Sequence, residues 1–253
     1  MKRQKYLFQY PLKNGAIRNR PNRFVMFVEA SGKLLRCRCP APTKIGNLNF
    51  QQIPCLLSKN TDEHKTSHTV EAIYIAEHDK TGFWVGINQT RINAVCEYFI
   101  NQDAFSRLVK DIEFRRDVKY GDSRLDFASE DVLLEVKTPL TVLPTKNRDA
   151  FFSNYAHSGD YERTIKHYKT LARFARTGKR AIVLLAYMYP APPFDPIKQN
   201  GNNGCLLKAF YLAQKSGVEF WQANFTIDKH GMELTRYFKL GGTKNHEKTQ
   251  SKR

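Results

Sequence analysis

RRDVKYGDSRLDFASEDVLLEVKTP, residues 115–139, is the stretch whose reading decides the fold. It divides into three short strands. The first ends at a Gly121-Asp122-Ser123 turn and the second at Ser129-Glu130-Asp131. The third, Val132 to Lys137, is stopped by Pro139, which has no N–H to give a sheet ladder. Two successive hairpins lay the strands side by side. Glu135 and Lys137 are two apart and project from one face of the third strand, and Asp126 lies roughly across from them on its neighbour. Two carboxylates and an ammonium are thereby expected at one spot of an otherwise apolar sheet built from Leu125, Phe127, Val132, Leu133, Leu134 and Val136.

Two carboxylates facing one point repel unless a cation lies between them or one is protonated. Mg²⁺ takes a few carboxylates, keeps several waters and leaves room for phosphate oxygens. A lysine beside it can hold or deprotonate a water that attacks phosphorus, while metal and lysine offset the developing charge. Asp…Glu-x-Lys is the signature of metal-dependent nucleases. The spacing also fits a solvated Glu135–Lys137 pair on a strand, which would contribute little to stability.

The whole chain agrees with a polyanion as partner. Its 253 residues suffice for one large or two modest domains, and 41% hydrophobic with 26% charged residues is the composition of a folded globular protein. The net charge is +17, with a basic surplus in both halves, and neutralising phosphates releases counterions. The longest apolar run, Ala181 to Tyr189, is far short of a membrane span, and no hydrophobic segment follows the basic start. The expectation is a cytoplasmic, nucleoid-associated protein with no membrane partner. Cys37, Cys39, Cys55, Cys96 and Cys205 are odd in number without paired close spacings, so all five are read as reduced thiols. Cys37 and Cys39 lack a second pair to complete a zinc site, and His64 and His68 lack the glutamate of a zinc-protease motif and read as surface histidines in a polar loop.

Upstream of the central stretch, residues 1–20 are basic and weakly patterned, either an arm touching phosphate or a solvated terminus. Strands are expected at 23–29, 34–39, 53–57, 69–77 and 82–87, separated by turn residues, which suggests a small β-barrel of OB type. Tyr74, Phe83 and Trp84 could stack on bases, but aromatics of a small β domain belong first to its core. Asn93 reads as the N-cap of a helix carrying Val95, Phe99, Phe105 and Leu108. Downstream, residues 140–154 are loop-like. A helix over about 160–177 buries Tyr161, Ile165, Tyr168, Leu171 and Ala172 and carries Arg163, Lys166, His167, Lys169, Arg173 and Arg176 on its other faces. Residues 180–189 form a strand buried on both faces. A helix over about 205–216 and a terminal hairpin, 218–227 with 232–240, complete the pattern, leaving 241–253 as a disordered basic tail.

The residues also resemble a known family. Lys119-Tyr120-Gly121, Ser123-Arg124-Leu125-Asp126-Phe127 and Leu134-Glu135-Val136-Lys137-Thr138 look like the core motif of the sugar fermentation stimulation protein A family. Arg20-x-x-Arg23-Phe24, Cys39-Pro40, the pair Asn88 and Asn93, Arg163 with Lys166-His167, and Gly231-Met232-x-Leu234 extend the resemblance over roughly residues 20–240. After Cys39-Pro40 the family reads Asn-Thr-Gly, whereas this chain has Ala41-Pro42-Thr43.

The resemblance implies an α+β protein: an OB-like barrel with its basic arm over residues 1–87, then a PD-(D/E)XK, restriction-endonuclease-like mixed sheet flanked by helices over 88–240. It implies catalytic Asp126, Glu135 and Lys137, with Mg²⁺ (or Mn²⁺) on Asp126 and Glu135 and a lesser contribution from Asp117, where the family has glutamate. Arg20, Arg23, Asn88 and Asn93 would meet nucleic acid; Arg163, Lys166 and His167 would face the scissile phosphate or brace the sheet. The expected function is a DNA-binding protein and metal-dependent nuclease of DNA or RNA. The alternatives are a DNA-binding regulator of sugar metabolism that uses the fold only for docking, and an RNA-binding accessory protein without chemistry. Nothing in the sequence excludes a homodimer.

Overall fold

In the computed structural model, residues 4–41, 45, 48–60, 65–76, 82–140, 143, 158–197 and 204–241 are described. The first strand, β1 (Lys5–Leu7), does not belong to the barrel that follows it. The barrel is made by β2 (Lys13–Asn22), β3 (Val25–Ala30), β4 (Lys33–Arg38), β5 (Pro54–Lys59) and β6 (His68–Ile75), in the order β4-β3-β2-β5-β6. Parallel pairs Cys37↔His68 and Arg38↔Thr69 close it. Strand β2 makes the corner: it pairs with β5 over Lys13 to Ala16 and with β3 from Ala16 to Asn22, with register shifts on either side of Asn19. Counted within the barrel, the order is first-second-third-fifth-fourth, the OB-like arrangement expected. Ile17, Met26, Val28, Cys37, Cys55, Leu57, Val70 and Ile73 fill it. Strand β7 (Phe83–Gly86) extends β6 outward.

The chain then enters α1 (Ile92–Asn101) and the three strands of the central stretch: β8 (Arg115–Tyr120), β9 (Ser123–Ala128) and β10 (Val132–Lys137). After α2 (Ser158–Ala175) come β11 (Arg180–Tyr187), α3 (Gly204–Lys215) and the hairpin β12 (Glu219–Ile227) and β13 (Gly231–Lys239). Seven strands form a mixed sheet in the order β1-β13-β12-β11-β10-β9-β8. The pairs β10–β11 and β11–β12 are parallel, and the rest are antiparallel. The hairpin β8–β9 turns in two residues, with Gly121 at φ 55° supplying the left-handed first position that a side chain would resist.

Strand β11 shows why the sheet needs covering on both sides. Ala181, Val183, Leu185 and Tyr187 belong to the layer shared with Leu171 and Phe174 of α2 and Phe210 of α3. Ile182, Leu184, Ala186 and Met188 belong to the layer shared with Val95, Cys96 and Phe99 of α1. A parallel strand between two parallel neighbours has no face left for water, hence its unbroken apolar run.

The barrel and sheet share a tight seam. Gly86 N–H donates to Met188 O at 2.9 Å, Leu12 N–H to Lys229 O at 2.7 Å and Phe8 N–H to His230 O at 2.9 Å. Phe83 stacks on Tyr189 at 6.3 Å, and Tyr74 meets Trp84 edge-on at 5.2 Å. Tyr74, Phe83 and Trp84 are half-buried and pack on neighbouring rings, and Tyr189 is buried.

Three expectations are corrected. The basic start is not simply an arm of the barrel: β1 pairs with β13 through Lys5↔Glu233 to Leu7↔Gly231 and forms the edge of the mixed sheet. Asn93 is not a helix cap; Arg91 holds the N-cap position without a side-chain cap, and Asn93 sits inside the first turn with its amide drawn elsewhere. His68 lies in β6, not in a polar loop. All five cysteines are free, four of them buried and Cys205 exposed. Pro42, Thr43, His64, most of the 140–154 loop and residues 242–253 lie outside the described residues.

Candidate active site

The site forms where β9 and β10 part. Their ladder pairs Leu133↔Ala128 and Leu134↔Phe127, so the next position sets Glu135 across from Asp126. There the ladder gives way: Val136 N–H donates at 2.8 Å to Asp126 Oδ2. Strand β9 also changes phase at this point. Leu125 belongs to the α2-side layer and Phe127 to the α1-side layer, although residues two apart in a regular strand share a face. Asp126 lies at this irregularity and is met from the α1 side by Asn93, whose Nδ2 donates to Oδ1 at 2.8 Å.

Glu135 is only 3% exposed. Its Oε1 accepts from Lys137 Nζ at 2.7 Å and from His167 of α2 at 2.5 Å. A carboxylate oxygen only accepts, so His167 Nδ1 carries the proton in that contact. Lys137 Nζ lies 3.3 Å from the same ring nitrogen. The second oxygen, Glu135 Oε2, is buried and has no hydrogen-bond partner among the described residues.

The electrostatics are divided between the two acids. Burial, and then the charge of Glu135, push Asp126 up to about 6; the donors Val136 N–H and Asn93 and the charge of Lys137 offset only part of this. Burial also pushes Glu135 up, but the His167 hydrogen bond and the Lys137 ammonium outweigh it and hold Glu135 below the usual carboxylate range. One acid is thus held ionised while its neighbour resists ionisation, a pattern frequent at functional sites.

A bracket from the barrel braces the pair. Glu71 of β6 is 1% exposed and accepts from Ser58 Oγ at 2.6 Å, Asn88 Nδ2 at 2.8 Å, and Arg91 through Nε at 2.9 Å and Nη2 at 2.6 Å. Gln89 Nε2 donates to Thr138 O at 3.0 Å, the residue after Lys137. Residues 88–93 therefore touch the barrel, the end of β10 and Asp126 in turn. Glu71, Gln89 and Arg91 were missed in the sequence. The signal was present in Glu71, a lone acid within the apolar run Val70 to Ile75, which has to find a partner when buried.

The other expected residues are placed as follows. Asp117 is exposed with φ 51°; the register sets it opposite Asp126, but it does not join the two acids. Among the described residues no three His, Cys, Asp or Glu side chains form a metal-holding group. The left-handed backbone takes Asp117 out of regular strand geometry. Asn88 is buried with its amide given to Glu71, and the Asn93 amide is given to Asp126. Arg20 organises the β2–β3 turn by donating to Arg23 O at 3.0 Å and Ala41 O at 2.8 Å. Arg23 is exposed and lies 4.6 Å over the Phe24 ring, itself 53% exposed. Arg163 and Lys166 are exposed on α2, whereas His167 is buried against Glu135.

An OB-like barrel followed by a restriction-endonuclease-like mixed sheet, with Asp126, Glu135 and Lys137 gathered where β9 and β10 part, defines an α+β protein. A model described as the sugar fermentation stimulation protein RE domain matches residues 90–231. The sugar fermentation stimulation protein homolog of Alcanivorax borkumensis is 30% identical over 228 residues, 84% of this chain and 90% of the relative. That of Syntrophobacter fumaroxidans is 24% identical over 254 residues, 95% and 90% of the two chains. The chain belongs to the sugar fermentation stimulation protein (SfsA) family. Its fold is also that of Pyrococcus furiosus SfsA, solved in complex with Ca²⁺, at 22% identity and a TM-score of 0.70 over 95% of this chain and 98% of that one.

Proposed function

We propose that the protein is a Mg²⁺- or Mn²⁺-dependent nuclease that binds DNA or RNA and hydrolyses its phosphodiester bonds. The observation that carries this reading is Glu135 Oε2, a buried carboxylate oxygen without a donor among the described residues, on an acid whose neighbour Asp126 is pushed up by burial and by that acid's charge. A divalent cation relieves both conditions, and two carboxylates completed by waters suit Mg²⁺. Asp126 and Glu135 would hold the metal, which when bound supplies Lewis acidity toward a phosphodiester and lowers the pKa of water. The Pyrococcus furiosus relative was solved in complex with Ca²⁺, which supports the reading that this chain binds a divalent cation.

The chain's own groups have separate tasks. Asn93 and Val136 N–H orient Asp126. His167 and Lys137 share Glu135 Oε1, and Lys137, the more exposed of the two at 22% against 4%, would face the substrate. There it holds the attacking water and offsets charge that develops on the phosphoryl oxygens. The net charge of +17 favours a polyanionic substrate.

The test is incubation of single- and double-stranded DNA and RNA with the protein, in Mg²⁺ or in chelator, beside Asp126→Ala. Cleavage that chelator and the substitution both abolish supports catalysis. Salt-sensitive binding without cleavage, indifferent to Asp126→Ala, overturns it in favour of a docking role.

A further inference from the structure

The outer face of α2 has a composition that the catalytic reading does not use. Lys166, Lys169, Arg173 and Arg176 recur at helical spacing and are all exposed. No acid lies within ion-pair distance of any of them among the described residues; Glu162 is the single acid on that face and sits at its beginning. Among the described residues the Arg173 guanidinium reaches Thr170 Oγ1, at 3.4 Å, and that of Arg176 reaches Ser216 Oγ, at 2.9 Å. Elsewhere some exposed cations are paired, as in Arg180 with Glu219 and Arg116 with Glu97, while others, Lys208 and Lys215 of α3 among them, have no acid partner among the described residues. The opposite side of α2 carries His167, Thr170, Leu171 and Phe174 into the core, so the helix is fixed against the sheet. The row begins one residue before His167, which touches Glu135, and runs away from the site.

We infer that this row carries one sugar-phosphate strand of a duplex away from the candidate active site, an inference that rests on the nucleic-acid reading above. Arg176 is the residue after the last of α2 and still donates its N–H to Ala172 O at 3.3 Å, so from Lys166 to Arg176 the chain rises about 15 Å at ~1.5 Å per residue. One strand of a duplex presents a charge about every 3.4 Å of axis, so the row faces about four phosphates with four cations. None of the exposed large apolar side chains lies on α2, so the row has no platform for unstacked bases. Backbone contact without stacking fits a strand whose bases are turned inward to a partner strand. The barrel turn differs, since exposed Phe24 under Arg23 does offer a ring.

The experiment measures binding of a short random-sequence DNA duplex, and of its separated strands, in chelator over a salt series. It compares the wild-type chain with Lys169→Glu/Arg173→Glu and with the charge-matched Lys208→Glu/Lys215→Glu on α3. The row variant is expected to weaken duplex binding by about tenfold or more and to lower the slope of log affinity against log salt by about 2, near 0.9 per phosphate lost. The α3 variant is expected to change duplex binding by much less. Equal weakening by both pairs, or a loss confined to separated strands, overturns the row as a duplex track. Unchanged binding by the row variant overturns it while leaving the nuclease reading intact. A wild-type chain that binds no nucleic acid overturns both.

Discussion

Arg91 grips Glu71 through Nε to Oε2 at 2.9 Å and Nη2 to Oε1 at 2.6 Å, across the seam between barrel and mixed sheet. Burial disfavours the Arg91 charge, but Glu71 more than compensates and raises its pKa. With Glu71 1% exposed, removing the arginine leaves a buried carboxylate with only Ser58 and Asn88 as donors. Arg91→Ala is expected to cost about 3–5 kcal/mol, because an uncompensated buried charge costs more than the pair contributed. Urea denaturation of Arg91→Ala, Glu71→Leu and the double variant checks this: the double variant should be far less destabilised than the sum of the singles.

Asn93 is the first group in the helical layer to touch a candidate catalytic carboxylate. Asn93→Ala removes one of the two donors that orient Asp126 and leaves the helix intact, since Ala is a good helix former. Cleavage is expected to fall about 10–100-fold, the range for groups that support metal ligands, with unchanged urea midpoint within about 1 kcal/mol. Asn93→Asp should be worse than Asn93→Ala, because it sets a like charge beside Asp126. Single-turnover rates on one labelled duplex, with far-UV circular dichroism as the folding control, decide it; equal rates for the three proteins would remove Asn93 from the site.

The strands of the central stretch were legible because the hairpin turns, the two-residue alternation and the proline stop are all local. Glu135 and Lys137 fall on one face by arithmetic alone, and β11 is legible from its unbroken apolar run. The barrel was legible from turn spacing except for β2, whose Lys13 to Asn22 carry a basic, weakly patterned sequence. What failed depends on partners distant in sequence. Lys5 to Leu7 carry no pattern of their own and become a strand only because β13 offers an edge. Asn93 has the preference of a cap, yet Asp126, thirty-three residues on, takes its amide. Glu71 stands out as a lone acid in an apolar run, but its partners Asn88 and Arg91, about twenty residues on, are given only by the fold.

Asp126 gives the site a pH dependence with a definite sign. Its carboxyl is raised to about 6 in the folded chain against an ordinary value near 4, so the folded state favours the protonated form. Stability from this group is full below about pH 4 and is lost as pH rises through 6. Glu135, held low, has the opposite sign, and its contribution is already complete above about pH 5. Between pH 5 and 8 the metal-free protein should therefore lose on the order of 1 kcal/mol through Asp126. Asp126→Ala should flatten that part of the profile in chelator. Mg²⁺ requires the ionised form, so its apparent affinity should rise through pH 6 in the wild-type chain. Calorimetric titration at pH 5 and pH 8 measures this, and an affinity that does not change with pH would contradict the raised carboxyl.

Gly86 tests whether barrel and sheet hold each other rigidly. A Cβ there would lie 2.6 Å from Met188 Cβ, 3.1 Å from its Sδ and 3.3 Å from its Cγ. Strand β7 cannot retreat cheaply, because Gly86 N–H is bound to Met188 O and Phe83 is stacked on Tyr189. Gly86→Ala is expected to destabilise by about 1–3 kcal/mol through overpacking, even though Ala suits a strand better than Gly. Met188→Ala removes Sδ and Cγ but keeps the Cβ that makes the closest approach, so it should not rescue Gly86→Ala in urea denaturation. Full rescue would mean that the contact is made by a side chain free to move, and that the seam, with the bracket from Glu71 to Asp126 beside it, yields more easily than its backbone hydrogen bonds imply.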